Sequence, residues 1–181
     1  MKFSRVEIPD IIIIEPDVFS DERGYFFESF KQNELNEFLG YDVNFCQDNE
    51  SKSTYGVLRG LHYQESPFAQ AKLVRVIQGS VLDVAVDIRK DSSTFGKHVA
   101  IELNDQNKRQ LFIPRGFAHG FITLEDNTVV QYLVDNDYNP KTEGSLLWSS
   151  FPEIKNEILK LDSTFDISNI IISEKDLVEK S

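Results

Sequence analysis

The stretch "KLVRVIQGSVLDVAVDI", residues 72–88, decides the fold. It reads as two strands around a turn at Gln78-Gly79. In the second half Val81, Asp83, Ala85 and Asp87 fall on one face, and Leu82, Val84, Val86 and Ile88 on the other. Downstream, "HVAIEL" (98–103), "RQLFIP" (109–114), "HGFITL" (119–124) and "TVVQYLV" (128–134) are short segments bounded by Gly, Asn, Asp or Pro. Turn signals at roughly ten-residue spacing are those of all-β sandwiches and barrels. Asn104-Asp105 and Asp126-Asn127 carry the strongest hairpin signals. Helix signals are few: "KQNELNEFLG" (31–40), "FPEIKNEILK" (151–160) and "SEKDLVEK" (173–180). The expected fold is mainly β, a single jelly-roll barrel with short C-terminal helices. One domain spans 1–181, with an N-terminal strand arm over 1–30, a core over about 42–148 and a mostly helical tail over 149–181.

The composition narrows the functional classes. The 181 residues are 40% apolar or aromatic and 27% charged, which suits one ordinary globular domain. A net charge of −11 argues against a general nucleic-acid or anionic-membrane surface. A local group of arginine and lysine can still receive a small anion. Cys46 is the single cysteine, so no internal disulfide forms, and a cytoplasmic location is expected. The opening "MKFSRVEIPDIIIIEP" lacks the form of a signal peptide, and no apolar segment reaches the length of a membrane span. "IIIIEP" (11–16) is apolar on both faces, so it is either buried in the barrel or lent to a partner subunit. A homodimer is expected.

Three clusters place polar groups where a core has no use for them: "VFSDERGYFFESF" (18–30), "QDNESKS" (47–53) and "RGLHYQESPFAQAKLVRV" (59–76). The first two also read as packed aromatics with a surface ion pair and as a plain turn. In the third, Arg59 and His62 are three apart and would face opposite sides of a regular strand. Gly60 permits a bulge that re-aims one of them. "IPRGFAHGF" (113–121) is more specific: Pro114, Gly116 and His119 fit the second motif of cupin barrels. The matching first segment, "GLHYQE" (60–65), has Tyr63 and Gln64 where a second metal-ligating histidine would follow His62, and His98 lies in an ordinary strand. The ligand set is incomplete, so neither metal nor other cofactor is expected, and the histidines are read as proton-transfer groups.

"VFSDERGYFFESF", "QDN", "GVLRGLHYQ", "AKLVRVIQGSVLDVAVDIRKDSSTFG", "NKRQLFIPRGFAHGF", "YNPKTEGSLLW" and "SEKD" occur in the order seen in dTDP-4-dehydrorhamnose 3,5-epimerases, a family this chain resembles up to Trp148. The resemblance implies proton abstraction and return at C3 and C5 of dTDP-4-keto-6-deoxy-D-glucose, giving dTDP-4-keto-L-rhamnose for dTDP-L-rhamnose synthesis. By the same resemblance His62 is the base, Asp176 its partner, Lys72 the donor to the C4 enolate and Tyr132 the acid on the far face. Arg23, Gln47, Asn49 and Arg59 match groups that hold the nucleotide-sugar. Glu28, His119, Glu143 and Lys175 match other ligand contacts, and Phe19, Phe26 and Tyr138 match packing positions. After Trp148 the sequence leaves the family pattern: it has no second tryptophan and is longer before "SEKD". Sister enzymes that epimerise one carbon, ketoisomerases and a non-catalytic sugar-nucleotide binder are the competing readings.

Overall fold

Fourteen short strands and two helices form along the chain in a computed structural model that describes residues 1–179. They are β1 (Lys2–Arg5), β2 (Ile12–Glu15), β3 (Phe19–Asp21), β4 (Gly24–Phe26), α1 (Gln32–Leu39), β5 (Gln47–Ser53), β6 (Val57–Gln64), β7 (Lys72–Gln78), β8 (Ser80–Asp87), β9 (His98–Asn104), β10 (Gln110–Ile113), β11 (Phe117–Thr123), β12 (Thr128–Val134), β13 (Glu143–Ser145), α2 (Glu153–Leu161) and β14 (Ile171–Ile172). One sheet has the order β1-β2-β10-β7-β12-β5, and the facing sheet has the order β13-β6-β11-β8-β9. Strand β14 adds to β6 in parallel, and β3 and β4 pair only with each other. The expected jelly roll is present as two open facing sheets rather than one closed barrel.

Alternation along β8 assigns its two faces. Val81 and Ala85 join Val74, Val76, Leu111, Ile113 and Val130 in the core between the sheets. Leu82, Val84 and Val86 point outward into a second cluster with Ile154 and Ile158 of α2. All eight residues of β8 are therefore buried, and the strand needs apolar residues on both faces. On the opposite side α1 lays Leu35 over Ile12, Ile14, Leu73 and Phe112. The helix ends at Gly40, whose left-handed backbone (φ 78°) lets its N–H reach Asn36 O at 2.9 Å. The molecule is thus layered as helix, sheet, sheet, helix.

The isoleucine run is buried by its own chain. Strand β2 lies between β1 and β10, with Ile12 and Ile14 under α1 and Ile13 against the core between the sheets. Of the two expected fates, burial in the fold is the one observed, and covering this strand requires no second subunit. The exposed part of the N-terminal region is instead the β3–β4 hairpin, where Phe19, Tyr25 and Phe26 are all more than half exposed.

Two local expectations are corrected. Asn104-Asp105 and Asp126-Asn127 do turn the chain, but β9 to β10 and β11 to β12 are crossings between the two sheets, not hairpins. The β7–β8 connection at Gly79 crosses in the same way. A jelly roll sends consecutive strands to opposite sheets, so a sharp turn does not imply that its arms pair. The C-terminal segment 173–180 forms only a 3-10 turn over Glu174–Leu177, and its last residue, Lys180, lies outside the described residues.

Because Ile12 is fully buried in the layer between sheet and α1, Ile12→Ala should cost about 2–5 kcal/mol. Urea unfolding measures it; a loss under about 1 kcal/mol would mean that β2 is not part of the cooperative fold.

Candidate active site

The segment that raised the sequence question, Arg59 to His62, is bulged. His62 lies opposite His119 and Arg59 opposite Phe121, so β6 uses three steps where β11 uses two. The bulge centres on Gly60, with φ 112°. A Cβ there would stand 2.6 Å from both Gly120 Cα and His119 O, so no other residue fits. Its effect is geometric: Leu58 and Leu61 both face the outer cluster, while Arg59 and His62 both line a cavity of about 490 Å³ between the sheets.

The cavity draws on both sheets and on the tail. Strand β6 supplies Arg59 and His62, β11 supplies His119 and Phe121, β7 supplies Lys72, β12 supplies Tyr132 and β5 supplies Ser51. The tail closes one side with Ile171, Ile172, Ser173, Lys175 and Asp176. A second hollow of about 330 Å³ shares His62, Lys72, Tyr132 and Lys175 with the first and adds Gln47, Asn49, Tyr138 and Glu143. Here Gln47 Nε2 donates to Asn49 Oδ1 at 2.7 Å, and Lys175 lies 4.0 Å from Glu143.

His62 Nε2 lies 2.6 Å from Asp176 Oδ1, and that carboxyl side chain is 3% exposed. With Nε2 donating to Asp176, the lone pair of the ring rests on Nδ1. Burial lowers the His62 pKa below the ordinary histidine value; Asp176 opposes the shift without cancelling it. The imidazole is therefore largely neutral near pH 7 and available as a base. Burial also lowers the Lys72 ammonium to about 8, with Asp83 and Glu143 opposing. At neutral pH Lys72 remains mostly cationic, and its Nζ lies 3.5 Å from His62 O. Burial raises the Tyr132 phenol above its ordinary value, against the influence of Arg59, so it stays protonated.

Asp176 reaches His62 because the tail is held at several points. Ile171 N donates to Gly56 O at 2.9 Å, Tyr55 Oη to Asp162 Oδ2 at 2.9 Å and Ser145 Oγ to Val178 O at 2.8 Å.

The remaining residues singled out from the sequence lie elsewhere. Phe19, Arg23 and Phe26 line a separate shallow hollow on the β3–β4 hairpin, where Arg23 is paired with Asp21. Glu28 binds Lys31 at 2.6 Å just before α1. None of these four lines the His62 cavity of its own chain. Conversely, the sequence did not mark two groups, one behind the cavity wall and one on it. Asp83, fully buried, places its carboxyl oxygens 2.9 and 3.0 Å from His119 Nε2. A carboxylate flanked by Leu82 and Val84 in a buried strand needs a partner, and that was the available signal. Ser51 sits on the cavity wall, in the regular strand β5 rather than in the plain turn that residues 47–53 suggest. Among the described residues no group of three or more His, Cys, Asp or Glu could hold a metal ion. Gln64, at a cupin ligand position, donates to Phe68 O and Asp137 O and accepts from Asn139 N.

An NMR titration of the His62 ring should give a midpoint below the ordinary histidine value. In Asp176→Asn it should fall further, because the anion that favours imidazolium is gone. A midpoint above the ordinary value in the wild type would mean that the ion pair outweighs burial.

Comparison with known proteins follows the same lines. The family model described as dTDP-4-dehydrorhamnose 3,5-epimerase matches residues 5–181. The dTDP-4-dehydrorhamnose 3,5-epimerase of Shigella flexneri is 50% identical over 177 residues, covering 98% of this chain and 93% of its own. The crystal structure of the dTDP-4-dehydrorhamnose 3,5-epimerase of Bacillus anthracis with TDP and PPi bound superposes with a TM-score of 0.87 at 40% identity, over 99% of this chain and 98% of that one. A Legionella pneumophila dTDP-6-deoxy-D-glucose-3,5-epimerase in complex with dTDP-4-keto-L-rhamnose gives a TM-score of 0.84 at 43% identity, over 97% of this chain and 89% of that one. Fold, motif order and these likenesses agree: the chain belongs to the dTDP-4-dehydrorhamnose 3,5-epimerase family.

Proposed function

We propose that this chain epimerises C3 and C5 of dTDP-4-keto-6-deoxy-D-glucose to dTDP-4-keto-L-rhamnose, on the route to dTDP-L-rhamnose. The observation that carries the reading is the placement of a base and an acid on opposite walls. His62 comes from β6 of one sheet and Tyr132 from β12 of the other, and both line one cavity. A hexose between the sheets offers one ring face to each.

His62 Nδ1 takes the proton from carbon next to the C4 ketone, and the electron pair moves onto the C4 oxygen. Lys72 stabilises that oxyanion. Asp176 fixes the tautomer and steadies the imidazolium. Tyr132 then delivers its phenolic proton to the opposite face of the same carbon. The imidazolium and phenolate exchange protons with solvent, and the cycle repeats at the second carbon. Arg59 holds the diphosphate, for which its planar fork of donors is suited. Gln47, Asn49, His119, Tyr138, Glu143 and Lys175 contact the sugar and base. The positive groups Arg59, Lys72 and Lys175 overcome the repulsion expected of a chain with net charge −11.

Incubation with dTDP-4-keto-6-deoxy-D-glucose in D2O tests the reading. Wild type should place deuterium at both C3 and C5; label at one carbon would select a single-centre epimerase. His62→Ala should lose exchange at both carbons, by about 10²- to 10⁴-fold. Tyr132→Phe should keep part of the exchange, by return of the proton to the same face, while inverted product falls sharply. Equal loss of exchange in both variants would refute this division of roles.

We further read the protein as a cytoplasmic homodimer that needs no metal and binds neither nucleic acid nor membrane. Its single cysteine suits a reducing compartment, and no helix among the described residues is long and apolar enough to cross a membrane. The exposed β3–β4 hairpin, with Phe19, Phe26 and Arg23 outside the lining of its own cavity, supports a role on a second copy. If Arg23 serves the partner's site, mixing inactive Arg23→Ala and His62→Ala chains under exchange conditions should restore activity. Each mixed dimer would then hold one site with both groups intact. No recovery, or a monomeric mass by light scattering, would overturn the arrangement.

A further inference from the structure

Strand β5 presents one face to the interior: Gln47, Asn49, Ser51 and Ser53 are shielded while Asp48, Glu50 and Lys52 are exposed. Three members of this polar row already have partners. Gln47 and Asn49 bond each other, and Ser53 Oγ accepts from Arg59 Nε at 3.0 Å. The exception lies between them. Ser51 Oγ is buried and has no hydrogen-bond partner among the described residues, and Ser51 lines the cavity beside Arg59 and Tyr132.

A buried hydroxyl without a partner is unfavourable, and its conservative replacement is alanine. A serine at this position has an explanation if a ligand supplies the missing bond. The identity of that ligand group follows from the neighbours. Ser53 fixes Arg59 through Nε, and Arg59 NH2 makes one long contact, 3.4 Å, to Lys52 O, so the guanidinium keeps donors for an anion beside Ser51. A serine hydroxyl next to a guanidinium with spare donors suits an acceptor-rich group.

We propose that Ser51 donates its hydroxyl hydrogen to an oxygen of the substrate's diphosphate, sharing that group with Arg59. The proposal rests on the nucleotide-sugar reading of the cavity. It makes Ser51 a binding residue whose hydroxyl has no partner among the described residues and gains one from the ligand in the complex.

The test uses Ser51→Ala with dTDP as probe, by calorimetry and thermal unfolding. A hydrogen bond to a charged acceptor gives an expected loss of dTDP affinity of about 10- to 100-fold. The free variant should melt at or above the wild-type temperature, because an unpartnered polar group has been removed. The temperature rise on adding dTDP should shrink. A free variant less stable than wild type would mean that the hydroxyl has a structural partner, and would overturn the proposal. Unchanged dTDP affinity would also overturn it, including the case in which only the sugar nucleotide binds more weakly, which places the contact on the sugar. Wild type serves as the control on the wider reading: failure of the unaltered protein to bind dTDP defeats both, whereas tight binding that Ser51→Ala leaves intact defeats this inference alone.

Discussion

The backbones of β6 and β11 touch where Gly60 meets Gly120. A side chain at either position would collide with main-chain atoms of the other strand, so the approach depends on two glycines facing each other. That contact lets β6 bulge between Arg59 and His62. Without the bulge a strand turns residues three apart to opposite faces, and one of the two would leave the cavity. His62 and Arg59 therefore share a cavity because of a backbone constraint that involves neither side chain. The same contact holds His119 directly across from His62, so both histidines reach the cavity at one level of the sheet.

Around this contact the layers divide the work. The two sheets face each other across an apolar core that ends where the cavity begins, with Tyr132 packed against that core. The outer faces are sealed by α1 and α2. Sealing both sides leaves the strands rigid enough to hold polar groups in a partly dry space. That dryness shifts the titrations: burial depresses His62 and raises Tyr132, which favours the neutral imidazole and the protonated phenol the proposed chemistry needs, whereas Lys72, lowered to about 8, stays mostly cationic despite its burial.

Much of this was legible in the sequence, and the gaps have physical causes. The alternation of residues 80–87 gave the two faces of β8 correctly, because side chains alternate on any strand. It could not say which strand lies next door, since pairing depends on contacts distant in sequence; hence the turns near Asn104 and Asp126 were read as hairpins when they are crossings. The α1 helix was readable from Leu35, Phe38, Leu39 and the closing Gly40, all local signals. His62, Lys72, Tyr132 and Asp176 were found through motif order, and the structure brings all four to one cavity. Phe19, Arg23, Phe26 and Glu28 came from the same motifs, yet no geometry within one chain gathers them there. The pattern around Asp83 says that it needs a partner but not that the partner is His119, and nothing local in the sequence shows that the Ser51 hydroxyl lacks one.

The His62–Asp176 pair joins residues 114 positions apart in the chain. During synthesis His62 and every strand of both sheets through β13 are made before the carboxylate is. The pairing of β14 with β6 and the turn that follows it bring Asp176 to His62, and that contact fixes the imidazole tautomer. The His62–Asp176 contact is thus among the last long-range contacts the chain can complete, and a chain ending a few residues short of Asp176 would contain every strand of both sheets and lack the carboxylate.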